Sequence, residues 1–269
     1  MAALAALLLA AEATTPAPDP AALAREVLSL AATGDPVPME RARALVPDAL
    51  RSDASYRSAA AGRAMAGLLL AAELRERSAA LPDGEAGLRD ARARKEAALD
   101  ELRTLFQAAP EDPDVLRGLA LYYGVDGRPA EEAALAAAAR EAGIPSDDPW
   151  LSLSALLAGL RGRPAAEAEP VLAAFVAAHP AQLPPRLSLA RVRVALGDPD
   201  GALAALDGLL AADPDHDAAR ELKATLLAPP PVRAITPAVP SAAPPPTAPG
   251  WLPRKKGATA ARPASPPGS

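Results

Sequence analysis

The chain is predicted to be an all-α solenoid of antiparallel helix pairs, and three observations carry that expectation. A Gly-x-Pro turn recurs at Gly127, Gly162 and Gly197, at intervals of 35 and 35 residues. A proline closes an apolar stretch at Pro110, Pro145, Pro180 and Pro214, at intervals of 35, 35 and 34, and each turn lies 17 residues after one of these prolines. Stretches of 14 to 16 residues separate the two marks, a length that suits a short helix and exceeds a typical strand. A helix-turn-helix unit of this period cannot bury its apolar face alone and stacks on its neighbours.

The first residues pose a question of location. Met1 to Ala11 is wholly apolar, and Ala11-Glu12-Ala13 has the small-x-small form of a signal-peptidase site. Residues 1–13 therefore read as an export signal and the protein as periplasmic or secreted. No Lys or Arg precedes the run, which keeps a cytoplasmic chain with an alanine-rich leading helix as the alternative. Residues 14–52 read as a linker and short capping helices over 23–30 and 42–45, broken at Gly34-Asp35-Pro36 and loosely packed.

Residues 53–110 read as a long helical hairpin. Ser52 or Asp53 caps a helix reaching about Ala80, with Tyr56, Ala60, Met65, Leu68, Leu69 and Ala72 on one side. Pro82-Asp83-Gly84 breaks it, and a second helix follows to about Ala109. Its stripe of Leu88, Ala91, Ala98, Leu102, Leu105 and Phe106 has the 3–4 spacing of a buried face.

Residues 111–228 hold three units and a closing helix. Asp112-Pro113, Asp148-Pro149 and Asp198-Pro199 each put an N-cap carboxylate before a proline suited to the first helical position. Glycine at each turn supplies the left-handed closing conformation. Pro170 falls inside the second helix of the second unit and is expected to kink or restart it.

From Ala228 onward the composition changes. This segment holds 13 of the chain's 32 prolines and five basic residues, Arg233, Arg254, Lys255, Lys256 and Arg262, without an acid. Residues 229–269 are expected to form a disordered, Pro-rich basic tail, because such a composition cannot bury enough surface to fold. Trp251 beside Arg254, Lys255 and Lys256 is its one candidate docking motif, suited to weak contact with an acidic surface.

The repeat units resemble the tetratricopeptide repeat family. Leu189-Ala190, Leu196-Gly197-Asp198, Ala202, Leu206 and Asp213-Pro214 match its leucine–small pair, interhelix glycine, second-helix small residue and closing proline. Leu119-Ala120, Tyr123, Gly127, Ala133 and Pro145 match in the first unit, and Leu151, Ala155, Gly162, Ala168, Leu172, Phe175 and Pro180 in the second. Arg186 and Arg193 stand where that family keeps large apolar residues. The resemblance implies a right-handed superhelix, a bacterial-type member with an export signal, and a concave groove lined by the first helix of each pair. Carried over by register, that groove includes Asp114, Arg117, Leu121, Ser152, Leu156, Leu187, Arg191 and Val194, with Arg191 free of packing. Its implied partner is a peptide or helix of another protein.

No residue set points to catalysis, a cofactor or a metal. The chain has no cysteine, hence no thiolate nucleophile or cysteine metal cage. Asp213, Asp215, His216 and Asp217 lack the glycine and distal glutamate of a calcium loop, and the aspartates are expected to cap the next helix. No apolar run reaches membrane-spanning length. The net formal charge is −5. Without the tail's +5 it is −10, which argues against nucleic acid as a partner. The function expected is a non-catalytic interaction scaffold, the alternative a structural envelope component attached through its tail.

Overall fold

The computed structural model describes residues 18–47, 53–79 and 81–228. The expected export signal and the basic tail with Trp251, Arg254, Lys255 and Lys256 lie outside the described residues. Eleven α-helices follow one another among the described residues, and they comprise an all-helical, tetratricopeptide-like array. They are α1 (Pro20–Ala31), α2 (Pro36–Ala44), α3 (Arg57–Ala79), α4 (Glu85–Ala108), α5 (Pro113–Asp126), α6 (Pro129–Glu141), α7 (Pro149–Leu160), α8 (Ala165–Ala178), α9 (Pro184–Ala195), α10 (Pro199–Ala212) and α11 (Asp217–Leu227). A short 3-10 turn, Ala54–Tyr56, opens α3, and Asp53 caps it by accepting the Ser55 amide at 2.8 Å.

Helix α3 lies at the centre. It packs against α1, α2, α4 and α5, and its buried residues include Ala59, Ala60, Ala61, Gly62, Ala64, Ala66 and Ala71 between Met65, Leu68, Leu69 and Leu70. Small residues on several sides let four neighbours approach closely, and a helix buried nearly all round needs no single apolar stripe. Each buried leucine contributes roughly 1.5–3 kcal/mol and each alanine far less, so the leucines and methionines of this axis carry the core.

The turns confirm the repeat register. Gly127, Gly162 and Gly197 close α5, α7 and α9 with φ of 72°, 75° and 76°, the left-handed region. Asp112 accepts the amides of Asp114 and Val115, Asp148 those of Trp150 and Leu151, and Asp198 that of Gly201. At the last joint the sequence predicts an aspartate cap, but His216 takes the role, accepting the Ala219 amide through Nδ1 at 3.4 Å. The backbone there turns His216 inward, where it is fully buried. Helix α8 runs continuously through Pro170 rather than restarting. Near the start of a helix the proline forfeits one bond, to the Ala166 carbonyl, and the following turn still holds.

The N-terminal helices are no loose cap. Val27, Ala31, Met39 and Ala42 are fully buried. The turn between α1 and α2 meets the far end of the chain: Asp35, 2% exposed, accepts the Val37 amide through Oδ1 and the Asp217 amide through Oδ2, at 3.1 and 2.6 Å. One carboxylate thus serves the first turns of α2 and α11. Beside it, Gly34 (φ 71°) presses on Pro184 at the start of α9, where an added Cβ would come within 2.7 Å of the proline ring.

Gly162 faces open space, so Gly162→Val introduces backbone strain without a collision. It should cost roughly 1–2 kcal/mol in chemical denaturation. Asp35→Ala leaves two part-buried amides without their acceptor and should cost about 1–2 kcal/mol, with faster amide exchange at Val37 and Asp217. An unchanged midpoint in either variant would show that the turn or the joint is not formed as described.

Candidate binding groove

The face carried by the first helices of the repeat pairs is turned toward α3. Leu121 is fully buried, and Leu187 and Leu156 are nearly so. These three are core residues rather than groove-lining ones: Leu121 and Leu156 pack in the cluster built around α3, and Leu187 packs with Leu206, Leu209 and Ala218 of α10 and α11. Leu156 and Leu187 border, with Met39, Leu69, Glu73 and Leu172, a remnant cavity of about 60 Å³.

The polar groove residues are also committed. Arg117 is buried and pairs with Asp114 at 2.8 Å and Asp148 at 3.0 Å, so it ties α5 to the cap of α7. The Ser152 hydroxyl donates to the Asp148 carbonyl at 3.0 Å. Arg191 is not free of packing. Its guanidinium holds both oxygens of Glu73 on α3, at 2.5 and 2.7 Å, and Glu76 at 2.7 Å. Burial opposes its charge, but the bonds from Glu73 and Glu76 outweigh that and raise its pKa. Val194 alone of the eight is an exposed hydrophobic residue. Arg186 and Arg193, out of place for apolar positions, reach sideways: Arg186 to the Pro180 carbonyl and Arg193 to Glu169 at 2.9 Å and the Gly201 carbonyl at 3.1 Å.

What stays open lies where the second repeat pair parts. Helix α8 packs chiefly against α9 and scarcely against α7. The parting leaves a cleft of about 490 Å³ between α3, the end of α7, α8 and α9. Leu157, Leu160, Leu172 and Val192 line it, together with Ser188, Arg75 and Arg161. Across Ser188 and Val192 it meets a second, shallower cleft of about 720 Å³ toward α11, with Ala195, Ala218 and Leu222 on its floor. None of these lining residues except Leu172 was picked out in the sequence. The signal that existed was Gly162, which ends α7 beside the cleft.

Residues 165–226, from α8 to the end of α11, match the tetratricopeptide repeat family model. No curated protein and no solved structure matches the chain. Among the described residues no helix is long and apolar enough to cross a membrane.

The Arg191 tie makes a claim that stability measurements can check. Arg191→Ala leaves Glu73 without its cation at a site 9% exposed, and should cost about 1–3 kcal/mol. A loss below about 0.5 kcal/mol, the ordinary range for a surface change, would mean that α3 is not bound to α9 this way.

Proposed function

We propose that this chain, whose residues 165–226 match the tetratricopeptide repeat family model, is a non-catalytic scaffold that binds an extended segment of a partner protein in the cleft between α3, α7, α8 and α9. Repeats of this family generally serve protein–protein interaction. The observation that carries the reading is the parting of α7 from α8, which leaves Leu157, Leu160 and Val192 lining an open channel. A channel with an apolar floor, entered from solvent and about 490 Å³ in volume, suits a side chain of an extended peptide better than a whole helix. The cell envelope is the compartment this reading favours, supported by the apolar run from Met1 to Ala11 and the small-x-small site after it.

The experiment is capture from the cell that makes the protein, with the full chain immobilised. Ser188 is half-buried on the cleft wall, so Ser188→Trp fills the channel without touching an ion pair. The partner retained by the wild type should fall at least tenfold with Ser188→Trp, at an unchanged melting temperature, and persist with a chain ending at Ala228. Retention by Ser188→Trp together with loss on truncation would instead assign attachment to the tail and make the helices a spacer.

A further inference from the structure

The open cleft does not end at its apolar floor. Ala72, Arg75, Val125 and Arg161 also line an adjoining space of about 250 Å³, whose remaining walls include Arg92 and Lys95 of α4. Four cations from α3, α4 and the end of α7 therefore converge on one space. Lys95 is neutralised: its Nζ donates to Asp126 Oδ1 at 2.8 Å, and this bond holds the Asp126 carboxyl below the usual carboxylate range. The arginines are not. Among the described residues Arg75 and Arg92 form no hydrogen bond or ion pair, whereas Arg57, Arg117, Arg191 and Arg193 each hold a carboxylate. Glu76, whose charge reaches Arg75, is taken up by Arg191. Arg161 is fixed in place, its Nη1 donating to the Val125 carbonyl at 2.8 Å while its stem lies across Gly127, where no Cβ would fit.

A half-buried guanidinium that holds no carboxylate directly is costly: burial and the neighbouring Arg161 charge push the Arg75 pKa down, against the opposing charges of Glu76 and Asp126. Because the chain's net charge is −5, general attraction of polyanions is weak, and the local geometry does the selecting. We infer that Arg75, Arg92 and Arg161 receive a carboxylate side chain of the bound segment, so the partner peptide is acidic and apolar in alternation. An aliphatic side chain enters between Leu157, Leu160 and Val192, and the neighbouring Asp or Glu turns onto the arginines. Arginine's planar fork suits that bidentate acceptance. This inference rests on the peptide-binding reading above and adds the chemistry of the partner.

The test uses two fluorescein-labelled synthetic decapeptides, one alternating leucine and glutamate, the other leucine and glutamine, titrated into the full-length protein. The leucine–glutamate peptide should bind at least tenfold more tightly at low salt, and the advantage should shrink as salt rises. Arg75→Met and Arg92→Gln should each reduce that advantage several-fold. Arg92 is exposed and unpaired, so its variant keeps the test valid if Arg75→Met unfolds, and Arg75→Lys should restore part of the affinity. Equal binding of both peptides, or indifference to both arginine variants, overturns the acidic preference. The peptide-binding reading then still stands if Ser188→Trp abolishes binding, and falls only if Ser188→Trp has no effect. Failure of the wild type to bind the leucine–glutamate peptide overturns the inference outright. So does competition by inorganic phosphate alone as strong as that of the peptide, since it would reduce the site to a bare anion contact.

Discussion

Three capping aspartates each use their two oxygens on different parts of the molecule. Asp112 holds the first turn of α5 through Oδ1 and meets Arg57 of α3 through Oδ2, at 3.5 Å. Asp148 caps α7 through Oδ1 and meets Arg117 of α5 through Oδ2. Asp35 caps α2 and reaches α11. A cap is a local device that satisfies amides left over at a helix start. Here its second oxygen joins one element to another. The register of each helix is thereby fixed to a helix elsewhere in the chain, and in the case of Asp35 the link spans 182 residues.

That economy matters because alanine dominates the packing. Helices faced with alanine approach closely but bury little area apiece, so an open array would be marginal. The chain responds by packing α3 against α5, the first repeat helix, and by pinning α3 to α9 with Arg191 across Glu73 and Glu76. An array that fills its own inner face gives up most of its concave surface. What it keeps is a channel where one helix pair opens, bordered by Arg75, which holds no carboxylate, and by Arg161, which is bound to a backbone carbonyl. Stability and binding are thus drawn from the same inner face, and the cleft is where packing was left incomplete.

Much of the architecture was legible in the sequence because its signals are local. The Gly-x-Pro turns, the aspartate–proline caps and the hairpin over residues 53–110 depend on neighbours a few positions apart, and α3 and α4 end within a residue or two of the limits read from Gly84 and Pro110. The groove was not legible, for a physical reason. A residue such as Leu121 or Leu156 reads as groove-lining by register whether the facing space holds a partner or the chain's own α3. Composition gave no sign of which. Arg191 read as free of packing because its partners, Glu73 and Glu76, are more than a hundred residues away in sequence. His216 was invisible as a cap because histidine seldom serves as one, and only its burial beside Asp35 reveals the role. Arg75 carried no motif at all; its meaning comes from what does not surround it.

Through Asp35 the N-terminal helices close onto the C-terminal end of the array. The chain contains no cysteine, so two can be added and spin-labelled without interference. Val37, 64% exposed on α2, and Asp215, at the exposed joint before α11, flank the Asp35 contact. Electron–electron distance measurement on Val37→Cys/Asp215→Cys should give one short, narrow distribution that broadens when Asp35→Ala is added. A broad distribution centred at long distance in the otherwise unaltered protein would contradict the closed array and return the concave face to solvent.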